Sequence, residues 1–226
     1  MSNPVGLSIF CDFDGTIATE DMISAIVTYA LKDAAQPLFE RILTRECSIR
    51  EGVSALFAMI PSSRYGELVS FARERVTIRP GFGEFVAYCQ ENQIPLRIVS
   101  GGFDFFVKPA LASFAGIDAI YANTLDTSGP YLRAVWPYPC DEHCAGDCGL
   151  CKPSIKRLHE AKRVVVIGDG ITDVRIALQA DLVIARDALL SYGVEHGLPV
   201  ARFEDFMDVI AILRREEKEL SACLKL

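Results

Sequence analysis

Leu7-Ser8-Ile9-Phe10-Cys11 runs directly into Asp12-Phe13-Asp14-Gly15-Thr16, a short apolar segment ending in a polar cluster. That pattern predicts a buried strand followed by a tight turn. The same signature recurs downstream. Ile94 to Val99 reads as a β-branched strand ending in Ser100-Gly101-Gly102, and Val164-Val165-Val166-Ile167 as a strand ending in Gly168-Asp169-Gly170. Leu182-Val183-Ile184-Ala185 is a further strand. Helical spacings lie around and between them: Phe82, Phe85, Val86 and Cys89, then 104–114, 153–160, 172–179 and a closing helix at 203–219. Alternating apolar strands and helices predict an α/β fold, a parallel sheet with helices on both faces. Such sheets bind ligands beyond the carboxyl ends of their strands. Three polar clusters at three strand ends therefore point to one active site.

Residues 20–76 depart from this alternation. Ile23, Ile26, Val27 and Ala30 form a helical stripe, and Val53, Leu56 and Phe57, then Leu68, Val69 and Ala72, repeat helical spacings. Pro37 and Pro61 are expected to break the run into about four helices. The segment reads as an all-helical insert. Ala119 to Asn123 and Tyr131 to Trp136 read as a pair of strands, followed by a loop rich in Cys, Pro and Gly at 137–151.

The chain has 226 residues, half of them hydrophobic, enough for a large domain or for a core with a small second unit. A formal net charge of −7 argues against a nucleic-acid partner. The apolar stretches are too short to span a membrane. Met1 to Ser8 has no basic region followed by a long apolar run, so a cytoplasmic location is expected. There the eight cysteines read as thiols or metal ligands rather than disulfides.

Asp12 and Asp14 leave one strand end together, and Asp169 and Asp173 come from another. Like charges ~4 Å apart at an effective dielectric of about 20 cost roughly 4 kcal/mol per pair. A hard dication relieves that repulsion, and magnesium prefers oxygen ligands. The expected ligands are Asp12, Asp169 and the main-chain carbonyl of Asp14. A carboxylate can attack phosphorus to give an aspartyl-phosphate, which assigns Asp12 as nucleophile. Attack on a phosphate dianion also needs a fixed cation, which Lys152 can supply. Ser100 and the Gly101 amide can donate to phosphoryl oxygens. Asp14 is left to protonate the leaving oxygen and then activate water. Asp173 is expected just outside the direct ligand set. Taken singly, each residue has a plainer reading. Turns favour Asp, Ser100 can cap a helix, Lys152 can be an exposed helix start, and Asp173 can simply suit a helix dipole.

Cys140, Cys144, Cys148 and Cys151 are separated by three, three and two residues. That spacing allows a tetrathiolate zinc site. It equally allows a thiol-rich loop, or a pair of disulfides formed on oxidation. The loop is expected to position Lys152, and His143 reads as a surface residue.

Asp12-Phe13-Asp14-Gly15-Thr16, Ser100, Lys152 and Gly168-Asp169-Gly170-Ile171-Thr172-Asp173 together resemble the four motifs of the haloacid dehalogenase superfamily, in the spacing of its phosphoserine-phosphatase-like branch. The resemblance implies a Rossmann-like core over 1–18 and 79–226, with 19–78 as that branch's helical cap. A closer resemblance is to a family of bacterial methionine-salvage phosphatases. It is carried by Asp12 to Ile17, Ser48-Ile49-Arg50-Glu51-Gly52-Val53, Ile98 to Val107, Trp136-Pro137, Cys151-Lys152-Pro153-Ser154 and Phe203-Glu204-Asp205-Phe206. It implies 2-hydroxy-3-keto-5-methylthiopentenyl-1-phosphate as the small-molecule substrate. Phe57, Met59, Phe103, Phe105 and Phe106 could then line a methylthio pocket, although such residues are more often core. Phosphoserine phosphatases carry a Glu nine residues after the nucleophile, where this chain has Asp21, preceded by Glu20. Rival readings are a phosphatase acting on phosphoserine or another small ester, a phosphomutase, and a non-catalytic metal-binding interaction module built around the Cys loop. The oligomeric state is open.

Overall fold

The structure is a computed structural model that describes residues 6–144 and 146–223; of the stretch Met1 to Ser8, residues 1–5 lie outside the described range. Its strands are β1 (Leu7–Cys11), β2 (Leu96–Phe103), β3 (Ala119–Asp126), β4 (Arg133–Val135), β5 (Arg163–Gly168), β6 (Leu182–Ala185) and β7 (Val200–Arg202). Among the described residues they form one sheet in the order β4-β3-β2-β1-β5-β6-β7. All neighbours are parallel except β3 and β4, which pair antiparallel. β1 lies between β2 and β5, so the three polar clusters leave adjacent strands at the same edge.

The strands are apolar on both sides because both sides are covered. Along β1, Leu7, Ile9 and Cys11 enter one core while Phe10 enters the other. Val165 and Ile167 against Val164 and Val166, and Ile184 against Val183, repeat the alternation in β5 and β6. Helices α5 (Phe82–Glu91) and α10 (Phe206–Cys223) cover the first face, where the Phe82 and Phe206 rings meet edge-on at 5.0 Å. Helices α7 (Lys152–Arg157), α8 (Val174–Ala177) and α9 (Asp187–Glu195) cover the second through Ile155, Ile176 and Leu189.

Between β1 and β2 lie α1 (Met22–Leu31), α2 (Gln36–Leu43), α3 (Ile49–Ala58) and α4 (Tyr65–Arg75), and α6 (Asp104–Leu111) follows β2. Asp21 caps α1 by accepting the Ser24 N–H, and Ser48 and Glu51 form a reciprocal capping box on α3. Pro37 does not break a helix. It sits in the first turn of α2, where its missing N–H has no partner to lose, and the break comes earlier, at Lys32 with φ 51°. The two segments joining the helices to the sheet run side by side, with the Thr19 N–H donating to the Thr77 carbonyl at 3.0 Å.

Other expectations shift. Ser100-Gly101-Gly102 is not a turn: β2 continues through it to Phe103, with a register irregularity after Val99. The expected helix 172–179 is a 3₁₀ turn at Ile171–Asp173 followed by α8. Helix α7 starts at Lys152 and stops at Arg157. Helix α9 and strand β7 carry no clear signal in the sequence. Gly193 interrupts the apolar stripe of α9 because a Cβ there would stand 3.2 Å from Val200, and β7 is three residues long. Phe57, Phe103, Phe105 and Phe106 are core rather than pocket lining. All four are buried, Phe57 and Phe103 are 4.6 Å apart, and Met59 is exposed. No helix among the described residues is long and apolar enough to cross a membrane.

Candidate active site

Asp12 is the first residue beyond β1. Its N–H continues the strand ladder to the Ile167 carbonyl at 2.9 Å, which fixes where the carboxylate starts. Asp12 Oδ1 accepts the Phe13 N–H at 2.8 Å and lies 2.8 Å from Lys152 Nζ. Lys152 Nζ also donates to Asp173 Oδ1 at 2.6 Å. Lys152 is only 4% exposed, so the reading of it as an exposed helix-start lysine is set aside. Asp173 in turn accepts the Gly170 N–H through Oδ2. It links the turn after β5 to the lysine that faces Asp12.

Asp169 accepts the Thr16 hydroxyl at 2.6 Å. Asp12, Asp169 and Asp173 each place a carboxylate oxygen within 4.8 Å of the others. Asp14 Oδ1 accepts the Met22 N–H at 3.0 Å and its Oδ2 accepts the Ser100 hydroxyl at 3.3 Å. Ser100 Oγ accepts the Gly102 N–H at 2.9 Å, and the Gly101 carbonyl accepts from Asn123 Nδ2 at 2.7 Å. Lys152 thus joins Asp12 and Asp173 in one web with Asp169 beside it, while Asp14 and Ser100 form a second, neighbouring group tied to α1 through the Met22 N–H.

The web is short of positive charge. Three clustered carboxylates face one ammonium. Burial raises the Asp12 carboxyl well above its usual range and the Asp173 charge adds to this, while Lys152 opposes it. Asp169 is pushed up to about 6, mainly by burial, against the Thr16 hydroxyl. Asp14 is pushed up to about 7 by burial and then by Asp21, with the Met22 amide and Ser100 hydroxyl pulling the other way. Burial works against the Lys152 ammonium, but Asp12 and Asp173 outweigh it and hold the group charged. An all-oxygen donor set with surplus negative charge suits a hard dication. Asp12 and Asp169 could hold one.

Arg79 and Asn123, neither singled out from the sequence, also build the site, as does Thr16, which the sequence offered only as the end of the first cluster. Arg79 is buried, and its Nε and guanidinium NH2 group donate to the carbonyls of Thr16 at 2.7 Å and Gly15 at 2.6 Å. It clamps the turn that carries Asp14. The only trace in the sequence was its place at the start of the second core segment, 79–226. Gly15 has φ 72°, and a Cβ there would lie 2.2 Å from Asp169 Oδ2. Gly15→Ala is expected to cost roughly 1–3 kcal/mol through strain and to displace Asp169, lowering both the denaturant midpoint and turnover; unchanged values of both would contradict this geometry.

Residues 9–178 match the haloacid dehalogenase-like hydrolase family. The chain is 46% identical over 213 residues to the 2-hydroxy-3-keto-5-methylthiopentenyl-1-phosphate phosphatase of Geobacillus kaustophilus, covering 93% of this chain and 97% of that one. It is also 46% identical over 217 residues to the protein of the same name from Brevibacillus brevis, covering 95% and 98%. Among solved structures it is similar to a phospho-aspartyl intermediate analogue of phosphoserine phosphatase, with TM-score 0.66, 17% identity and coverage of 92% and 98%. A phosphoserine phosphatase from T. onnurineus gives TM-score 0.68 at 18% identity, with coverage of 92% and 96%. These structural likenesses bear on the fold, a Rossmann-like α/β sheet. The family match spans most of the chain and includes Asp12, Asp14, Ser100, Lys152, Asp169 and Asp173, so the protein belongs to the haloacid dehalogenase-like hydrolases.

Proposed function

We propose that this chain is a magnesium-dependent phosphomonoesterase of methionine salvage. It converts 2-hydroxy-3-keto-5-methylthiopentenyl-1-phosphate to 1,2-dihydroxy-3-keto-5-methylthiopentene and phosphate through an aspartyl-phosphate. The observation that carries the chemistry is the buried Asp12–Lys152–Asp173 chain at the carboxyl edge of the sheet. The substrate class rests on the named relatives. The assigned location is the cytoplasm.

An Asp12 carboxylate oxygen forms the new bond to phosphorus as the ester P–O bond breaks. Asp14 gives its proton to the departing oxygen. A protonated Asp14 suits this role because its carboxyl is raised to about 7. The carboxylate so formed takes a proton from water, which attacks phosphorus and frees Asp12 and phosphate. Lys152 holds Asp12 in place and offsets phosphoryl charge, while Asp173 holds Lys152. Ser100, with the Gly101 amide, is assigned to the phosphoryl oxygens. Magnesium held by Asp12, Asp169 and the Asp14 carbonyl would supply the remaining positive charge. The catalytic core is assigned to 1–18 and 79–226 and the cap to 19–78, with their paired connecting segments as the hinge. A zinc ion on the Cys loop would be structural and take no part in these steps.

Phosphoserine is the second reading, favoured by the solved structures of similar fold. The acids that could bind its ammonium are otherwise engaged. Asp21 is exposed and caps α1, and Glu20 pairs with Arg75 at 2.7 Å. Phosphate release from the enol phosphate and from phosphoserine should be compared. Higher kcat/KM on the enol phosphate is expected, and preference for phosphoserine would overturn the substrate assignment. Asp14→Asn should lower kcat by roughly 10²–10⁴-fold on an alkyl phosphate and much less on p-nitrophenyl phosphate, whose leaving group departs without a proton. Equal losses on both esters would remove Asp14 from the acid role.

A further inference from the structure

The side-chain sulfurs of Cys140, Cys144, Cys148 and Cys151 all lie within 4.8 Å of one another, and none is in a disulfide. A tetrahedral zinc site with bonds of about 2.3 Å spaces its sulfurs roughly 3.8 Å apart, so small side-chain adjustments would close the set. Cys144 and Cys151 are buried, which suits a closed structural site rather than one open to substrate. Soft thiolates select zinc over the hard cation of the carboxylate site. The loop backbone is already bent around the sulfurs. Its turns pass through Asp147 at φ 45° and Gly149 at φ 74°, and a Cβ on Gly149 would strike the Trp136 ring at 2.6 Å. The Cys151 N–H closes the loop onto the Tyr138 carbonyl at 2.8 Å. The Gly146 N–H donates to the Cys144 sulfur, and the Arg175 guanidinium stands 3.9 Å from it. These partners would offset the negative charge of a tetrathiolate.

The two sides of the loop reach different parts of the molecule. Cys151 immediately precedes Lys152. Asp147 accepts the Ser48 hydroxyl at 2.5 Å and pairs with Arg50 Nε at 3.0 Å, at the start of α3 in the helical insert.

We propose that the four cysteines hold one zinc ion, and that the ion locks this loop between Lys152 and the insert. Lys152 is thereby held against Asp12 and Asp173 while the loop grips the first turn of α3.

Protein purified under reducing conditions without chelator should carry about one zinc per chain by plasma mass spectrometry. Asp12→Asn should retain that zinc, which separates this site from the carboxylates, and Cys148→Ser should lose it. Should Cys148→Ser fail to fold, cobalt titration of the reduced, metal-stripped wild-type chain decides, because thiolate ligation gives intense sulfur-to-cobalt absorption bands. Stripping zinc should lower the thermal midpoint and reduce kcat on p-nitrophenyl phosphate roughly tenfold or more, with recovery when zinc is returned. The kcat readout rests on the proposed phosphatase activity; the metal readouts do not. Four freely titrating thiols that take up neither zinc nor cobalt, or two disulfides in freshly purified protein, would overturn the site. Zinc bound with no effect on kcat would overturn the lock on Lys152.

Discussion

Asp12→Asn should abolish phosphate release, lowering kcat by roughly four or more orders of magnitude. An amide oxygen cannot form the acyl phosphate, and no other carboxylate can substitute for it in place. Asp173 is spanned by Lys152, Asp169 is held by Thr16, and Asp14 points to Ser100 and the Met22 amide. The fold should survive. Asn keeps the shape and an acceptor oxygen for the Phe13 N–H and for Lys152. Losing one of three clustered carboxylates also removes like-charge repulsion, so the urea midpoint should stay level or rise. Phosphate release and the midpoint, measured on the same sample, check both halves. Residual activity within tenfold of wild type would remove Asp12 from the nucleophile role.

Lys152→Met should be the most destabilising single change at the site. It leaves Asp12 and Asp173 buried without the cation that lies 2.8 Å from one and 2.6 Å from the other. Breaking such a buried pair costs about 3–5 kcal/mol, a large share of a total stability of roughly 5–15 kcal/mol. The deficit should depend on pH. Burial already raises the Asp12 carboxyl, and without the ammonium that opposes this it moves further above its unfolded value. Stability is then retained while Asp12 is protonated and is lost as pH rises through its folded value. The gap between variant and wild type in urea unfolding should therefore narrow on acidification. Adding Asp173→Asn should recover part of the loss at neutral pH. A gap that widens on acidification would contradict the buried ion-pair account. Activity should also fall, by about 10²–10³-fold for loss of one charge-stabilising donor.

Much of the site was legible because its residues stand at strand ends. Apolar runs such as Leu7 to Cys11 and Val164 to Ile167 mark doubly covered strands, and the first one or two residues after each run have to emerge at the carboxyl edge of the sheet. That places Asp12 and Asp169 without any knowledge of packing. Ser100 was found although its local structure was misread, because Gly101 and Gly102 suggest a turn where the chain keeps to an irregular strand. Lys152 could be nominated, but its burial depends on Asp12 and Asp173 meeting across the fold. Arg79 and Asn123 act through main-chain carbonyls, and a single sequence carries no mark of such contacts. The aromatics around Phe103 show the opposite failure. Their chemistry suited a ligand pocket, yet Phe57, Phe105 and Trp136 are the rings that meet it. Helix α9 was missed because Gly193 gives up apolar periodicity for close approach to β7.

The central claim is attack by Asp12, and the direct test is chemical capture of the intermediate. Wild-type enzyme turning over the enol phosphate with magnesium would be acid-quenched within one turnover, reduced with borohydride and peptide-mapped. The account predicts homoserine at position 12, the product of reducing an aspartyl-phosphate there. Reduction at another carboxylate, or efficient turnover that leaves position 12 as aspartate at every quench time, would contradict it.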